Sequence, residues 1–224
     1  IISACLRDLA DSYEEVAFAC GPAIEDLRPV QWHNYGTDGR KFDLTLRYTS
    51  YLDLVGSDLP FAQHPVYLAG NKSRRQEIRY GGASGSRVED GGEAETFLDL
   101  YRRTFERQGQ AVSEEELSFL SGLLGHLSQA GRLRVYTALT AENVVGSVAV
   151  FGTDAKRAYY LYGANNPDLR DTQCGTMALF QAFLKLGQDG FRQVDLEGIN
   201  SPKRGYFKLS FGGTITPYFQ ARMT

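Results

Sequence analysis

The sequence predicts a layered α/β domain built on a mixed β-sheet with flanking helices. Three features carry that expectation. From Glu93 onward, helical and extended periodicities follow in the order α-α-β-β-β-loop-α-β-α-β. Further upstream, Phe42, Leu44, Leu46 and Tyr48 alternate with Asp43, Thr45, Arg47 and Thr49, the two-residue period of a strand with one buried face. The segment 144–151 is apolar enough to lie in the middle of a sheet.

The elements follow in order. Ile2, Cys5, Leu6, Leu9, Tyr13, Val16, Ala17 and Cys20 recur at three- and four-residue steps, so one amphipathic helix is expected over 2–20, stopped by Gly21-Pro22. A strand over 27–35 would hold the single tryptophan, Trp32, and Asp38-Gly39 marks a turn before the alternating strand, which runs to Leu54. Residues 55–70 read as irregular, 72–80 as a short basic helix, and 81–85 (Gly-Gly-Ala-Ser-Gly) as a linker or mobile loop. Residues 93–108 place Phe97, Leu100, Tyr101 and Phe105 on one helical face. Ser113 and Glu116 stand at capping-box spacing ahead of Leu117, Leu120, Leu123, Leu124 and Leu127. Strands over 133–140, 144–151 and 157–164 come next, then a loop over 165–174. A helix over 175–188 ends at Gly190, and strands over 191–196 and 214–220 complete the pattern.

Composition narrows the classes. A chain of 224 residues, 42% hydrophobic and 23% charged, can bury a sizeable core and is ordinary for a soluble globular protein. A net charge of −3 argues against a dedicated nucleic-acid binder. Cys5, Cys20 and Cys174 form no metal or disulfide pattern. Their odd count suits a reducing compartment, and Cys5 and Cys20 read as small core hydrophobes. No apolar run approaches the roughly 18 residues of a membrane span, and Asp8 and Asp11 follow too soon after Ile1 for a signal peptide. A cytoplasmic protein is expected, and the start without Met suggests further residues upstream. His33, His64 and His126 form no catalytic set, and the chain lacks a Walker loop, a zinc HExxH pair and a GxSxG elbow.

Candidate chemistry gathers near the C-terminus. Lys208 stands among Tyr206, Phe207 and Phe211, ahead of Gly212-Gly213. Partial desolvation would make its ammonium seek an anionic partner, although a surface lysine with a packed stem fits the same residues. Asp195, Glu197, Asn200 and Ser201 lie at the end of a strand, where ligands collect in open α/β sheets, and a carboxylate there serves as a base for an amine or caps the next helix. Tyr160 and Tyr162 alternate onto one strand face, lining a polar cleft or half-burying an amphipathic strand. The loop 165–174 enters a helix at Gly175 and Thr176, where free N–H groups and Arg170 would favour an anion, or Thr172 would merely cap. Cys174 sits at that helix start with no base for a partner.

Together, Tyr159-Tyr160-Leu161-Tyr162-Gly163-Ala164, Pro167-Asp168-Leu169-Arg170, Gly190-Phe191-Arg192-Gln193-Val194-Asp195-Leu196 and Phe207-Lys208-Leu209-Ser210-Phe211-Gly212-Gly213 resemble the GNAT-type domain of the FemABX and related acyltransferases. Lys72 to Arg79 resembles the start of that domain and Thr49 to Leu54 the strand preceding it. The resemblance covers about residues 48–219. It implies a GNAT-like domain over 71–224, with 1–70 a partial N-terminal GNAT-like module.

The resemblance further implies acyl transfer to an amine without a covalent enzyme intermediate. The co-substrate would be acyl-CoA or aminoacyl-tRNA, with no metal. The acceptor would be a small molecule or a lipid- or nucleotide-linked precursor of the cell envelope or a polysaccharide. A tRNA partner gains no support from charge. Lys208 corresponds to the family's FK-motif lysine, with Phe207 beside it, and Tyr160 and Tyr162 to acceptor-lining tyrosines. Lys208, Asp195 and Glu197 are then the catalytic candidates. Tyr160, Tyr162, Phe207, Asn200 and Arg75 are the substrate-binding candidates, and Arg170, Gly175 and Thr176 the donor-binding ones. The acyl-CoA pyrophosphate signature survives only as a loose echo over 170–175. That departure keeps a second reading open, a non-catalytic GNAT-like module that binds a nucleotide-linked glycan or a protein partner.

Overall fold

The computed structural model describes residues 1–54 and 59–224, with the side chain of Arg170 also outside the description. One mixed eight-stranded sheet organises the chain, in the order β1-β8-β2-β7-β6-β5-β4-β3. Its strands are β1 (Val16–Cys20), β2 (Asp43–Asp53), β3 (Arg87–Asp90), β4 (Leu133–Leu139), β5 (Val145–Thr153), β6 (Arg157–Asn165), β7 (Gln193–Asp195) and β8 (Thr214–Met223). Only β6 and β7 run parallel; every other neighbouring pair is antiparallel. The helices are α1 (Ile2–Ser12), α2 (Arg28–Gln31), α3 (Pro65–Ala69), α4 (Lys72–Ala83), α5 (Ala94–Glu106), α6 (Glu114–Gln129), α7 (Cys174–Gln188) and α8 (Pro202–Leu209). Among the described residues no helix is long and apolar enough to cross a membrane. The expected α/β layering with a mixed sheet is the observed one.

Alternation along β5 builds a core on each face of the sheet. Phe151 joins Phe180, Phe183 and Leu186 of α7, while Val148 and Val150 join Phe97 and Leu100 of α5 and Leu117, Leu120 and Leu124 of α6. Ser113 caps α6, its Oγ accepting the Glu116 N–H at 3.1 Å, as the capping spacing foretold. A third cluster packs Leu6 of α1 and Val30 of α2 against Val16, Ala221 and Met223. β8 lies between β1 and β2, and β2 also pairs with β7, so a single hydrogen-bonded ladder joins both ends of the chain.

Several expectations fail for physical reasons. The first helix stops at Ser12, and Val16–Cys20 forms β1, with Val16 opposite Met223 and Cys20 opposite Phe219. Positions i and i+4 share a face in a strand as well as in a helix, so the spacing of Val16 and Cys20 suits both, and the free edge of β8 settles the outcome. Cys20 is buried, but Cys5 is exposed. No strand spans 27–35. Pro29 starts the short α2, the Asp26 carboxylate accepts the Arg28 N–H, and Trp32 is 61% exposed. β2 forms where expected, yet Leu46 and Tyr48 are exposed while Thr49 and Ser50 are buried, because the α1–α2 cluster covers this face only as far as Phe42 and Leu44.

Residues 81–83 of the supposed glycine linker form the last turn of α4, Ser84 is its C-cap, and Gly85 follows in a left-handed conformation (φ 78°). A Cβ on Gly81 would lie 2.4 Å from Met177 Cγ, so glycine there permits close helix packing, not mobility. Within 55–70, residues 55–58 lie outside the described residues. Phe61–Gln63 makes a 3-10 turn, and His64 caps α3 by accepting the Val66 N–H at Nδ1. The short β3, too brief to show a period, was not anticipated.

Candidate active site

β2, β7 and α8 converge on one cluster. Lys208, in the last turn of α8, donates from Nζ to the Glu197 carbonyl at 3.3 Å, and its ammonium lies 5.4 Å from the centroid of the Tyr160 ring. Burial pushes this ammonium below the usual lysine range; the Arg204 charge acts the same way, and Glu197 and Asp195 oppose it. Burial raises the Glu197 carboxyl above the usual range, Asp195 adds to the rise, and Lys208 opposes it. Glu197 adopts a left-handed backbone (φ 55°). Asp195 anchors it, its Oδ1 accepting the Glu197 N–H at 2.8 Å and the Thr49 hydroxyl of β2. Burial and the Asp195 charge push the Tyr51 phenol up to about 12, and Arg157 stacks 5.0 Å from the Tyr51 ring.

Tyr160 and Tyr162 do not share a face. β5 and β6 pair Val150 with Tyr162 but Phe151 with Tyr160, so Leu161 is an extra residue in a β-bulge that reverses the alternation. Tyr160 packs on Phe151, with ring centroids 5.3 Å apart, and belongs to the α7 side. Tyr162 packs on Phe97 and Tyr101 on the opposite side. The Tyr160 hydroxyl lies over Gly163, where a Cβ would come within 2.0 Å of it.

A neighbouring cleft of about 330 Å3 opens at the start of α7. Gly175 and Thr176 line it, together with Phe207, Asn165, Arg74, Glu77 and Arg107. Arg74 is buried, donates to Ser210 Oγ at 2.9 Å, and also bonds Glu77 and Thr176. Its guanidinium lies 4.5 Å from the Phe207 centroid and 4.9 Å from that of Phe211. Phe207 therefore belongs to the cleft, while Lys208, next in sequence, turns to the Glu197 cluster.

Other candidates lie elsewhere. Arg75 is not a cleft residue; it reaches the Leu68 carbonyl at 3.4 Å. One helical step separates it from Arg74, and the basic run 72–79 gives no sign of which arginine turns inward. Asn200 clamps the backbone of Tyr48, accepting its N–H at 2.8 Å and donating to its carbonyl at 3.0 Å. Arg170 lies in a 3-10 turn, Pro167–Thr172, and its side chain is outside the description. Cys174 is buried. Sequence reasoning missed Arg74, Glu77, Thr49 and Tyr51; only the alternation of β2 hinted that Thr49 and Tyr51 face together. Among the described residues no three His, Cys, Asp or Glu side chains gather as a metal would require.

This fold, with a helix start opening onto a cleft at the end of β6, is that of a GNAT-type acyltransferase. A family profile for the acetyltransferase (GNAT) domain matches residues 71–215, and the chain belongs to that family. Solved structures share this fold. FemX is similar with a TM-score of 0.68 at 12% identity, over 97% of this chain and 76% of FemX. The C-terminal domain of a putative lysylphosphatidylglycerol synthetase from Agrobacterium fabrum is similar with a TM-score of 0.61 at 13% identity, over 99% of this chain and 71% of that one. A tandem GNAT protein from the clavulanic acid biosynthesis pathway gives 0.56 at 10% identity, over 99% and 66%. At such identities the likeness is one of fold. No curated protein sequence matches the chain.

Proposed function

We propose that the chain is an N-acyltransferase that moves an acyl or aminoacyl group onto an amine of a cell-envelope or polysaccharide precursor. The observation that carries this reading is the Lys208–Glu197–Tyr160 cluster, set beside the α7 cleft and linked to it through Phe207. Likeness in fold to FemX and to the lysylphosphatidylglycerol synthetase domain supports the choice of acceptor.

In this reading the donor's carbonyl approaches the cleft near Gly175, Thr176 and Phe207. Glu197, whose burial raises its affinity for a proton, takes the proton of the acceptor amine directly or through one water. The amine nitrogen bonds to the carbonyl carbon. The bond from that carbon to the donor's sulfur or oxygen then breaks, and the leaving group takes up a proton. Lys208 offsets the charge developing on the carbonyl oxygen or on a substrate phosphate. Asp195 holds Glu197 in place, and the Tyr160 ring supports the ammonium. The reading puts the enzyme in the cytoplasm, where such activated donors are made.

Lys208→Ala, tested for transfer from acyl-CoA and aminoacyl-tRNA donors, is expected to lose about 10²-fold or more in kcat while keeping its circular dichroism spectrum. Full activity in that variant overturns the assignment.

A further inference from the structure

We propose that Glu77 sets donor choice in the α7 cleft by placing the chain's own carboxylate where an incoming polyphosphate would be held. The proposal rests on the acyl-transfer reading for what enters the cleft, but not for where the charges lie.

The start of a 15-residue helix presents N–H groups without intrahelical acceptors and favours an anion. Here an anion is built in. Glu77, on α4, accepts the Thr176 hydroxyl of α7 on Oε2 at 2.7 Å, and the same oxygen accepts the Arg74 guanidinium. Arg74, the buried cation of the cleft, is thereby neutralised. Its remaining bonds, to Ser210 and Thr176, and its stacking on Phe207 and Phe211 leave it no freedom to swing toward a ligand. Glu77 and Arg74 offset each other, and among the described side chains the other charged one that lines the cleft is the exposed Arg107.

A pyrophosphate entering beside Thr176 would meet the Glu77 carboxylate within a few ångströms and in partial shelter from water, where like charges repel strongly. It would also compete with Glu77 for the Thr176 hydroxyl and the guanidinium. Glu77 therefore lowers the affinity of the cleft for any donor that seats a polyphosphate at the start of α7. Glu77 is thus a specificity-determining residue that acts by repulsion.

Titration calorimetry with inorganic pyrophosphate at low ionic strength tests this on the wild type and on Glu77→Gln. Glutamine keeps an acceptor for Thr176 and Arg74 while removing the charge. The variant is expected to bind pyrophosphate about tenfold tighter than the wild type. Equal or weaker binding by a folded variant overturns the proposal. Should Glu77→Gln fail to fold, the wild type decides: millimolar or weaker affinity upholds the proposal, and sub-millimolar affinity overturns it. Pyrophosphate binding needs no transfer chemistry, so an inactive Lys208→Ala protein gives the same reading, and failure of the acyl-transfer assignment shows up separately.

Discussion

The Tyr160 hydroxyl rests over the Cα of Gly163, three residues further along the same strand, in the space a side chain would otherwise fill. That contact holds the ring beside Phe151, with the two planes tilted by 40°, and beneath the Lys208 ammonium. A β-bulge at Leu161 aims the ring there, and the missing Cβ of residue 163 leaves room for it.

Gly163→Ala should therefore destabilise the fold by about 1–3 kcal/mol, because the new methyl must push Tyr160 aside. Tyr160→Phe removes the atom it strikes first, so the alanine substitution should cost distinctly less in that background. A double-mutant cycle read by urea denaturation measures this coupling, and additive effects would show that the two residues do not touch.

Glu197 gives a pH-dependent test. Its carboxyl is raised above the ordinary 4.5 in the folded chain, so the fold binds its proton more tightly than the unfolded chain does. The resulting stabilisation is complete below the unfolded pKa and disappears as pH rises through the folded one. Glu197→Gln mimics the protonated form. Its melting temperature should exceed that of the wild type by a few degrees at pH 8, and the gap should close at about pH 4. A gap independent of pH would show that desolvation of Glu197 is not its source.

Thr49 bears on the same cluster from β2. Thr49→Val takes away a hydroxyl donor to the buried Asp195 carboxylate, and a hydrogen bond to a charged group contributes about 1.5–3 kcal/mol. Chemical denaturation should show a loss of that size, with Thr49→Ser restoring most of it. The Glu197 turn depends on the same Asp195 oxygen, so kcat should fall in parallel.

Arg74 should tolerate no replacement. Arg74→Met strands the Glu77 carboxylate in the cleft and removes the bond to Ser210, for an expected cost of about 3–5 kcal/mol in a thermal or urea melt. Arg74→Lys should cost nearly as much, since an ammonium can neither stack as a plane on Phe207 and Phe211 nor bridge three acceptors in a fork. A melt like that of the wild type in Arg74→Lys would show that the stack and the fork contribute little.

Much of the fold was legible because its signals are local. The α6 cap, the apolar faces of α5 and α7, and each of β4, β5 and β6 lie within windows shorter than twenty residues, where period and capping identify an element. The candidate site was legible in part. Lys208, Glu197 and Asp195 come together, and Gly175, Thr176 and Phe207 line the cleft, but Tyr162, Asn200 and Arg75 are turned to other partners.

What local pattern leaves open is settled by groups far along the chain. Val16 to Cys20 would satisfy a helix or a strand, and Met223 to Phe219, at the other end of the sequence, supply the backbone partners that select the strand. Strict alternation puts Tyr160 and Tyr162 together, and the register of β5 separates them. Arg74 and Arg75 are chemically alike, and only the distant Thr176 and Ser210 distinguish the buried one from its neighbour. Short-range sterics and hydrophobic period are written residue by residue, whereas hydrogen-bond partners and packing faces exist only once remote segments meet.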